Sequence, residues 1–305
     1  MNKLLYIVNP IAGKGRGKKV ISEIKQFHND SNEKYKIIVT KFPKHASQIA
    51  KENSGNGDLI ISVGGDGTLN EVINGLNLEN KNKVAVLPIG TGNDFASNFK
   101  YGKSVKDNLI RILKYRNNLV PVDIGSVEFQ DKEKTVKNTL FINSLGIGFD
   151  AYVAYLNQNN KLLSGISSYI VAVFRALTNL NNIKMDIGLS EMNIDGEKLL
   201  LAIGNGKTSG GGFYLNPNAK IYDGFLDLTV IDKINSRLRL IRKLPLALFN
   251  KIETIPEVSM YKFKMLEIDL ERPYYVHTDG EIIPDSVTSL EIKSIGSAIN
   301  FVSFS

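Results

Sequence analysis

The sequence of 305 residues contains no cysteine. That absence excludes a disulfide framework and any thiolate metal site, and it makes a cytosolic location the simplest expectation. Long apolar runs are missing as well. The stretch Leu4 to Val8 is too short for the core of a signal peptide, lacks a small-residue cleavage site behind it, and reads as a strand. Leu162 to Leu177 is broken by Gly165, serines and Arg175, short of the roughly 20 apolar residues that span a bilayer. No transmembrane helix is expected. Internal repeats and low-complexity linkers are absent, and no aromatic residues interleave with basic ones as in nucleic-acid readers. A nucleic-acid partner is therefore not expected.

What is present describes a globular chain, with 43% hydrophobic residues, 23% charged residues and 26 glycines. Such a length can bury two ordinary cores. A net charge of +7 favours anionic partners, among them nucleotide phosphates or an acidic membrane surface, without choosing between them.

Short β-branched runs alternate with helix-compatible segments in the first third. Leu4 to Val8, Ile37 to Thr40, Leu59 to Val63 and Val84 to Leu87 read as strands, and helices begin near Lys14, His45 and Thr68. This alternation implies a parallel sheet flanked by helices, with ligands bound beyond the carboxyl ends of its strands. Beyond about Val122 the pattern changes to short strands, including Asn138 to Ser144, Leu199 to Gly204, Phe225 to Ile231, Phe263 to Leu270 and Leu290 to Ile295. Asp131-Lys-Glu-Lys134 and Asn193-Ile-Asp-Gly196 read as hairpin turns. One helix stands out among these strands, with Leu162, Ile166, Tyr169, Ile170, Val173, Leu177 and Leu180 at helical spacing. Its apolar face suits packing on the sheet, with a lipid-facing surface as the alternative. The expected division is residues 1–125, rejoined by 296–305, and residues 126–295.

Three loops carry the chemistry. The first, Asn9-Pro10-Ile11-Ala12-Gly13-Lys14-Gly15-Arg16-Gly17, follows a strand and enters a helix, where bare backbone N–H groups and a helix N-terminus suit phosphate. It is no Walker A loop, and by itself it reads equally as a tight turn. The second, Val63-Gly64-Gly65-Asp66-Gly67-Thr68-Leu69-Asn70-Glu71, sets three glycines around an aspartate able to ligate the magnesium that accompanies a polyphosphate. The third, Leu87-Pro88-Ile89-Gly90-Thr91-Gly92-Asn93-Asp94-Phe95-Ala96, repeats the arrangement, with Thr91 and Asn93 placed to touch nucleotide and Asp94 extending the acidic group. In Val276-His277-Thr278-Asp279-Gly280-Glu281, carboxylates two apart on an extended chain would share one side. The Asp-Gly pair also reads as a turn.

The Gly64-Gly65-Asp66-Gly67-Thr68 string resembles that of diacylglycerol, sphingosine and ceramide kinases and NAD kinases. Combined with Asn9-Pro10 and Gly90-Thr-Gly-Asn-Asp-Phe95, it is similar to the catalytic domain of bacterial soluble diacylglycerol kinases, over essentially the whole chain. The resemblance implies an α/β plus mainly β fold, with a Rossmann-like three-layer domain before a β-sandwich-like one. It implies an ATP-dependent lipid kinase using Mg2+, with diacylglycerol as acceptor, Glu281 as proton acceptor and Asp279 as its metal-linked partner; the alternatives are an NAD kinase-type enzyme and a nucleotide- or lipid-binding regulator without turnover. Asn9, Pro10, Ile11, Ala12, Gly13, Thr40, Gly64, Gly65, Asp66, Gly67, Thr68, Leu69, Asn70 and Thr91 fall at nucleotide-binding positions. Asp123 matches an aspartate of the magnesium network that includes Asp66 and Asp94. Lys220 to Phe225 resembles a loop holding a structural magnesium through the Asp223 carboxylate and the carbonyls of Lys220 and Phe225.

The expected partners are a membrane lipid substrate and an anionic membrane surface met peripherally during catalysis. That surface would be met by Lys14, Arg16, Lys18 and Lys19 or by Arg237, Arg239, Arg242 and Lys243. A homodimer is a further expectation from general frequency, with no interface assigned.

Overall fold

The computed structural model describes residues 3–29, 31–130, 133, 135–158, 165–190 and 192–304. The chain forms two compact units, Met1–Val122 with Ser297–Ser305, and Asp123–Gly296. The first boundary falls three residues before the expected one, because the Asp123 N–H donates to the Ile221 carbonyl at 2.8 Å and so belongs with the second unit.

In the first unit, strands β1 (Leu4–Val8), β2 (Tyr35–Val39), β3 (Leu59–Gly64) and β4 (Lys83–Pro88) are parallel in the order β4-β3-β1-β2. The end of the chain returns as a fifth parallel strand, with Asn300 and Phe301 beside Lys83 and Val84. Buried strands of a parallel sheet are apolar on both faces, which is why these runs read without alternation. Helices α1 (Ala12–His28), α2 (His45–Asn53), α3 (Asp66–Gly75) and α4 (Val105–Tyr115) connect them. Leu4, Tyr6 and Val8 pack against Val20 and Ile24 of α1 and Leu109 and Ile112 of α4. Helices α2 and α3 pack so closely that a Cβ on Gly75 would lie 2.1 Å from the Ser47 carbonyl oxygen. The strand order reverses between β2 and β3 on either side of β1, and in such sheets ligands bind at that switch point.

His28, 3% exposed, is a buried titratable group of this core. Its Nε2 lies 2.9 Å from the Tyr6 hydroxyl, its Nδ1 3.0 Å from the Ser31 hydroxyl, and its ring stacks on Tyr35. Burial lowers its pKa from 6.5, only partly opposed by Glu33. Because the folded value is depressed, acidification through the ordinary histidine range protonates the unfolded chain first, and stability falls. Denaturant unfolding between pH 7.5 and 5.5 should show that loss, and His28→Gln should flatten it while weakening the protein by about 1–2 kcal/mol at pH 7.5. An unchanged pH slope in His28→Gln would place the titration elsewhere.

The second unit continues from β5 (Leu119–Gln130) through β6 (Val136–Phe141), β7 (Ser144–Gly148), α5 (Phe149–Gln158) and α6 (Gly165–Ala176). It then runs through β8 (Ile183–Leu189), β9 (Met192–Ile194), β10 (Glu197–Gly204), β11 (Leu226–Asp232), α7 (Arg237–Leu248), β12 (Val258–Phe263), β13 (Met265–Thr278) and β14 (Glu281–Val302). Antiparallel pairing runs β12-β11-β10-β7-β13-β14, and the first half of β13 also pairs with β8. Alternation along β10 explains its two faces. Leu201 and Ile203 enter one core with Ile147, Leu228 and Leu266, whereas Leu200 and Ala202 face a second with Phe149, Val173 and Leu240 of the helices.

The expected strand Asn138 to Ser144 is two strands, broken at Ile142 and Asn143, whose N–H groups turn to a carboxylate described below. The expected single helix is one of three: α6 carries its middle, Leu177 continues in a short 3-10 turn, and Leu162 and the Ile166 side chain lie outside the described residues. The Asn193 to Gly196 segment joins β9 to β10, with Gly196 at φ 103. The Asp131 to Lys134 turn lies outside the described residues apart from Glu133. No helix among the described residues is long and apolar enough to cross a membrane.

Candidate active site

The three loops meet in the first unit at the carboxyl ends of β1, β3 and β4. Regular helix in α1 starts only after Gly13, Lys14 and Gly15, which are all left-handed at φ 58, 59 and 87. Gly13 is required twice over, since a Cβ there would lie 2.1 Å from the Ile89 carbonyl oxygen of the third loop. Lys14 takes the same conformation with a side chain, at a cost of about 1–2 kcal/mol. Asn9 joins the first loop to the second: its Nδ2 donates to the Thr68 hydroxyl at 3.0 Å, and its Oδ1 accepts the Ile11 N–H at 3.1 Å.

The second and third loops touch backbone to backbone, and a Cβ on Gly90 would lie 2.5 Å from the Gly65 Cα. Asp66 spans them. Its Oδ2 accepts the Asp94 N–H at 3.0 Å and its Oδ1 the Phe95 N–H at 3.1 Å. Asn93 is left-handed at φ 57 and donates from Nδ2 to the Gly90 carbonyl at 2.9 Å. Thr91 and Ile11 are exposed, Pro10, Ala12 and Gly67 half-buried, and Gly64 and Asp94 buried. Leu69 and Asn70, in the first turn of α3, are buried. The Thr40 N–H donates to the Val8 carbonyl at 2.8 Å, which puts Thr40 beside the first loop.

Asp66 and Asp94, on adjoining loops, are the carboxylates that would hold a magnesium ion arriving with a triphosphate, which takes oxygen ligands and keeps several others. Among the described residues no three His, Cys, Asp or Glu side chains are grouped to hold a metal by themselves.

The remaining candidates lie in the second unit. Asp279 and Glu281 do not stand on one extended strand: Asp279 at φ 50 and Gly280 at φ 84 are the central residues of a two-residue hairpin turn, with Thr278 paired to Glu281. Two consecutive left-handed residues are what this turn demands, and Asp-Gly supplies them. The two carboxylates are therefore separated by a chain reversal and not aligned along an extended strand as expected. The Asp279 carboxylate is instead held by three N–H groups, those of Asn143 (2.9 Å) and Ser144 (2.8 Å) at Oδ1 and that of Ile142 (2.9 Å) at Oδ2. Glu281 opens β14 and is exposed.

Asp123, 1% exposed, is brought to the 220–225 loop: its Oδ2 accepts the Gly224 N–H at 2.6 Å. In that loop the Asp223 Oδ1 accepts the Phe225 N–H at 3.1 Å and its Oδ2 lies 2.5 Å from the Lys262 ammonium. Lys220 is exposed. The Lys262 ammonium supplies positive charge at the Asp223 carboxylate and lies 3.5 Å from Asp227 as well.

Sequence reasoning missed a buried polar group around these residues. The Asn205 Nδ2 donates to the carbonyls of Asp123 and Ile142 at 2.8 and 2.7 Å, and Asn143 donates to the Thr208 carbonyl at 2.9 Å. It also missed an apolar cavity of about 60 Å3 bounded by Phe149, Tyr169, Val173, Phe213, Leu240 and Leu244, with Asp150 and Lys243 in its wall. The Lys243 ammonium is 2.6 Å from Glu257, whose carboxyl is held below its ordinary value chiefly by that hydrogen bond. Arg239 also pairs with Glu257 at 2.5 Å, so the downstream basic group is partly neutralised within the unit.

An α/β unit with three glycine loops, followed by a β-sandwich-like unit, defines the NAD kinase and diacylglycerol kinase fold. Yeast NADH kinase complexed with NADH shares this fold at a TM-score of 0.57 and 13% identity, over 99% of this chain and 83% of that one. Residues 3–127 match the diacylglycerol kinase catalytic domain, and residues 143–299 match the YegS C-terminal NAD kinase beta sandwich-like domain. The chain belongs to the bacterial diacylglycerol kinase and YegS-like lipid kinase family.

It is 28% identical to the diacylglycerol kinase of Bacillus subtilis, over 92% of this chain and 90% of the relative. It is 31% identical to a YegS-like lipid kinase of Serratia proteamaculans, over 91% and 87%. A crystal structure of a diacylglycerol kinase from Bacillus anthracis matches with a TM-score of 0.78 and 26% identity, over 99% and 97%. The catalytic domain of this family implies ATP as phosphoryl donor.

Proposed function

We propose that the protein transfers the γ-phosphoryl group of ATP to a lipid hydroxyl, with diacylglycerol the acceptor and phosphatidate the product. The observation that supports the lipid half of this reading is the apolar lining between three helices of the second unit, whose chemistry suits acyl carbon rather than a second nucleotide, although the cavity of about 60 Å3 admits only the end of a chain as it stands. Family membership and the three loops support the kinase half.

In the proposed reaction the loop backbone and the N-terminus of α3 hold the triphosphate. Glu281 accepts the proton of the lipid hydroxyl as its oxygen bonds to the γ-phosphorus and the bond to the ADP oxygen breaks. Magnesium bound with the nucleotide at Asp66 and Asp94 would neutralise charge on the phosphates. The exposed cations Lys14, Arg16, Lys18 and Lys19, or Arg237 and Arg242, are the proposed contacts with anionic headgroups.

The test offers labelled ATP and Mg2+ to the purified protein with mixed micelles of diacylglycerol, ceramide or sphingosine, and separately with NAD. Labelled phosphatidate from diacylglycerol is the expected product. Phosphorylation of NAD without any lipid product would replace this reading by a nucleotide kinase.

A further inference from the structure

One chain of hydrogen bonds links the wall of the apolar cavity to the hairpin that carries Glu281, entirely within the second unit. Asp150, 4% exposed, and Tyr169 both line the cavity. The Tyr169 hydroxyl donates to Asp150 Oδ1, and Asp150 Oδ2 lies 2.9 Å from His277 Nε2. On the other side of the imidazole, the Gly280 N–H donates to His277 Nδ1 at 3.3 Å. A ring nitrogen that accepts an N–H carries no proton, so these partners assign the proton to Nε2, which donates it to Asp150.

The sheet is built to admit this pair. His277 faces Gly146 across the pairing of β13 with β7, and a Cβ on Gly146 would lie 2.4 Å from both Asp150 Oδ2 and His277 Nε2. Any other residue at 146 would occupy the place where carboxylate and imidazole meet. Asp150 itself stands one residue past Phe149, where β7 runs without a break into α5.

We propose that His277, oriented by Asp150 and Tyr169, is a positioning residue for Glu281. By accepting the Gly280 N–H it fixes the turn from which the Glu281 side chain departs, and it ties that turn to the wall of the cavity. The proposal rests on Glu281 being the base. Gly280 and Glu281 are joined by one peptide, so rotation of the Gly280 backbone displaces the carboxylate directly, and a misplacement of about 1 Å lowers a rate by roughly 100-fold.

Two replacements of His277 separate positioning from packing. In His277→Asn the amide oxygen stands where Nδ1 stood and still accepts from Gly280, while contact with Asp150 is lost. In His277→Gln the amide reaches the Nε2 position and keeps a donor for Asp150, while the acceptor for Gly280 is lost. The expected result is a kcat lowered about 100-fold in His277→Gln, with KM for lipid and ATP essentially unchanged, and a substantially smaller loss in His277→Asn.

Tyr169→Phe keeps the ring in the cavity wall, removes one donor to Asp150, and gives the same kcat-only loss to a lesser degree. Thermal unfolding of each variant reports the packing contribution separately. If His277→Asn is as impaired as His277→Gln, or if kcat is unchanged in both His277→Gln and Tyr169→Phe, the group only supports the fold and the proposal is overturned. Glu281→Gln is measured alongside. Full turnover in that variant removes the base assignment and the proposal with it, whereas an inert Glu281→Gln beside a fully active His277→Gln removes the positioning role alone.

Discussion

Glu281→Gln is expected to lower kcat by about 10²- to 10⁴-fold while leaving the fold and ATP binding intact. The amide matches the carboxylate in size and cannot accept the proton of the attacking hydroxyl. Glu281 is exposed at the start of β14, so its replacement opens no buried gap. A surface change of that kind stays within about 0.5 kcal/mol of wild-type stability. The nucleotide loops belong to the other compact unit, so ATP affinity measured without lipid should be unchanged. Single-turnover phosphorylation of diacylglycerol by excess enzyme gives the chemical step directly. A decline of only a few-fold there would show that another group takes the proton.

The parts of this molecule that were legible in the sequence are those whose cause is local. Strands β1, β3 and β4 are buried on both faces and therefore read as uninterrupted apolar runs. The loops after them are legible because backbone contacts such as Gly13 on Ile89 and Gly90 on Gly65 admit no side chain. Helix α7 was hidden because Arg237-Leu-Arg-Leu240 alternates with the period of a strand and Pro245 sits inside the helix. Helix α5 was hidden because it follows β7 directly, with the left-handed Gly148 (φ 87) as the one mark of the turn. The polar group of the second unit was invisible for a different reason. Asp279 finds Ile142 at a separation of 137 residues, and His277 finds Asp150 at 127, and no local pattern encodes such pairs. The turn at Asp279 was legible in its Asp-Gly dipeptide, and the extended alternative put two carboxylates where the chain in fact reverses.

Asp279→Ala carries the largest expected loss of stability, about 3–5 kcal/mol, a substantial part of the 5–15 kcal/mol that holds a typical domain. Three N–H groups, at Ile142, Asn143 and Ser144, lose their acceptor together, and each buried donor left unpaired costs about 1–3 kcal/mol. Position 279 is also left-handed, which alanine accommodates at about 1–2 kcal/mol. Asp279→Asn should lose far less, because asparagine tolerates that conformation and its remaining oxygen can still serve Asn143 and Ser144. Denaturant unfolding followed by two independent probes separates the units if they unfold apart. If Asp279 served chiefly as a metal ligand, removal of its carboxylate would leave stability nearly intact and raise the Mg2+ concentration needed for half-maximal rate. A stable Asp279→Ala protein with that raised requirement would sink the clamp. An unstable one, with Asp279→Asn folded and keeping part of its activity, would establish that the aspartate acts by holding the turn from which Glu281 departs.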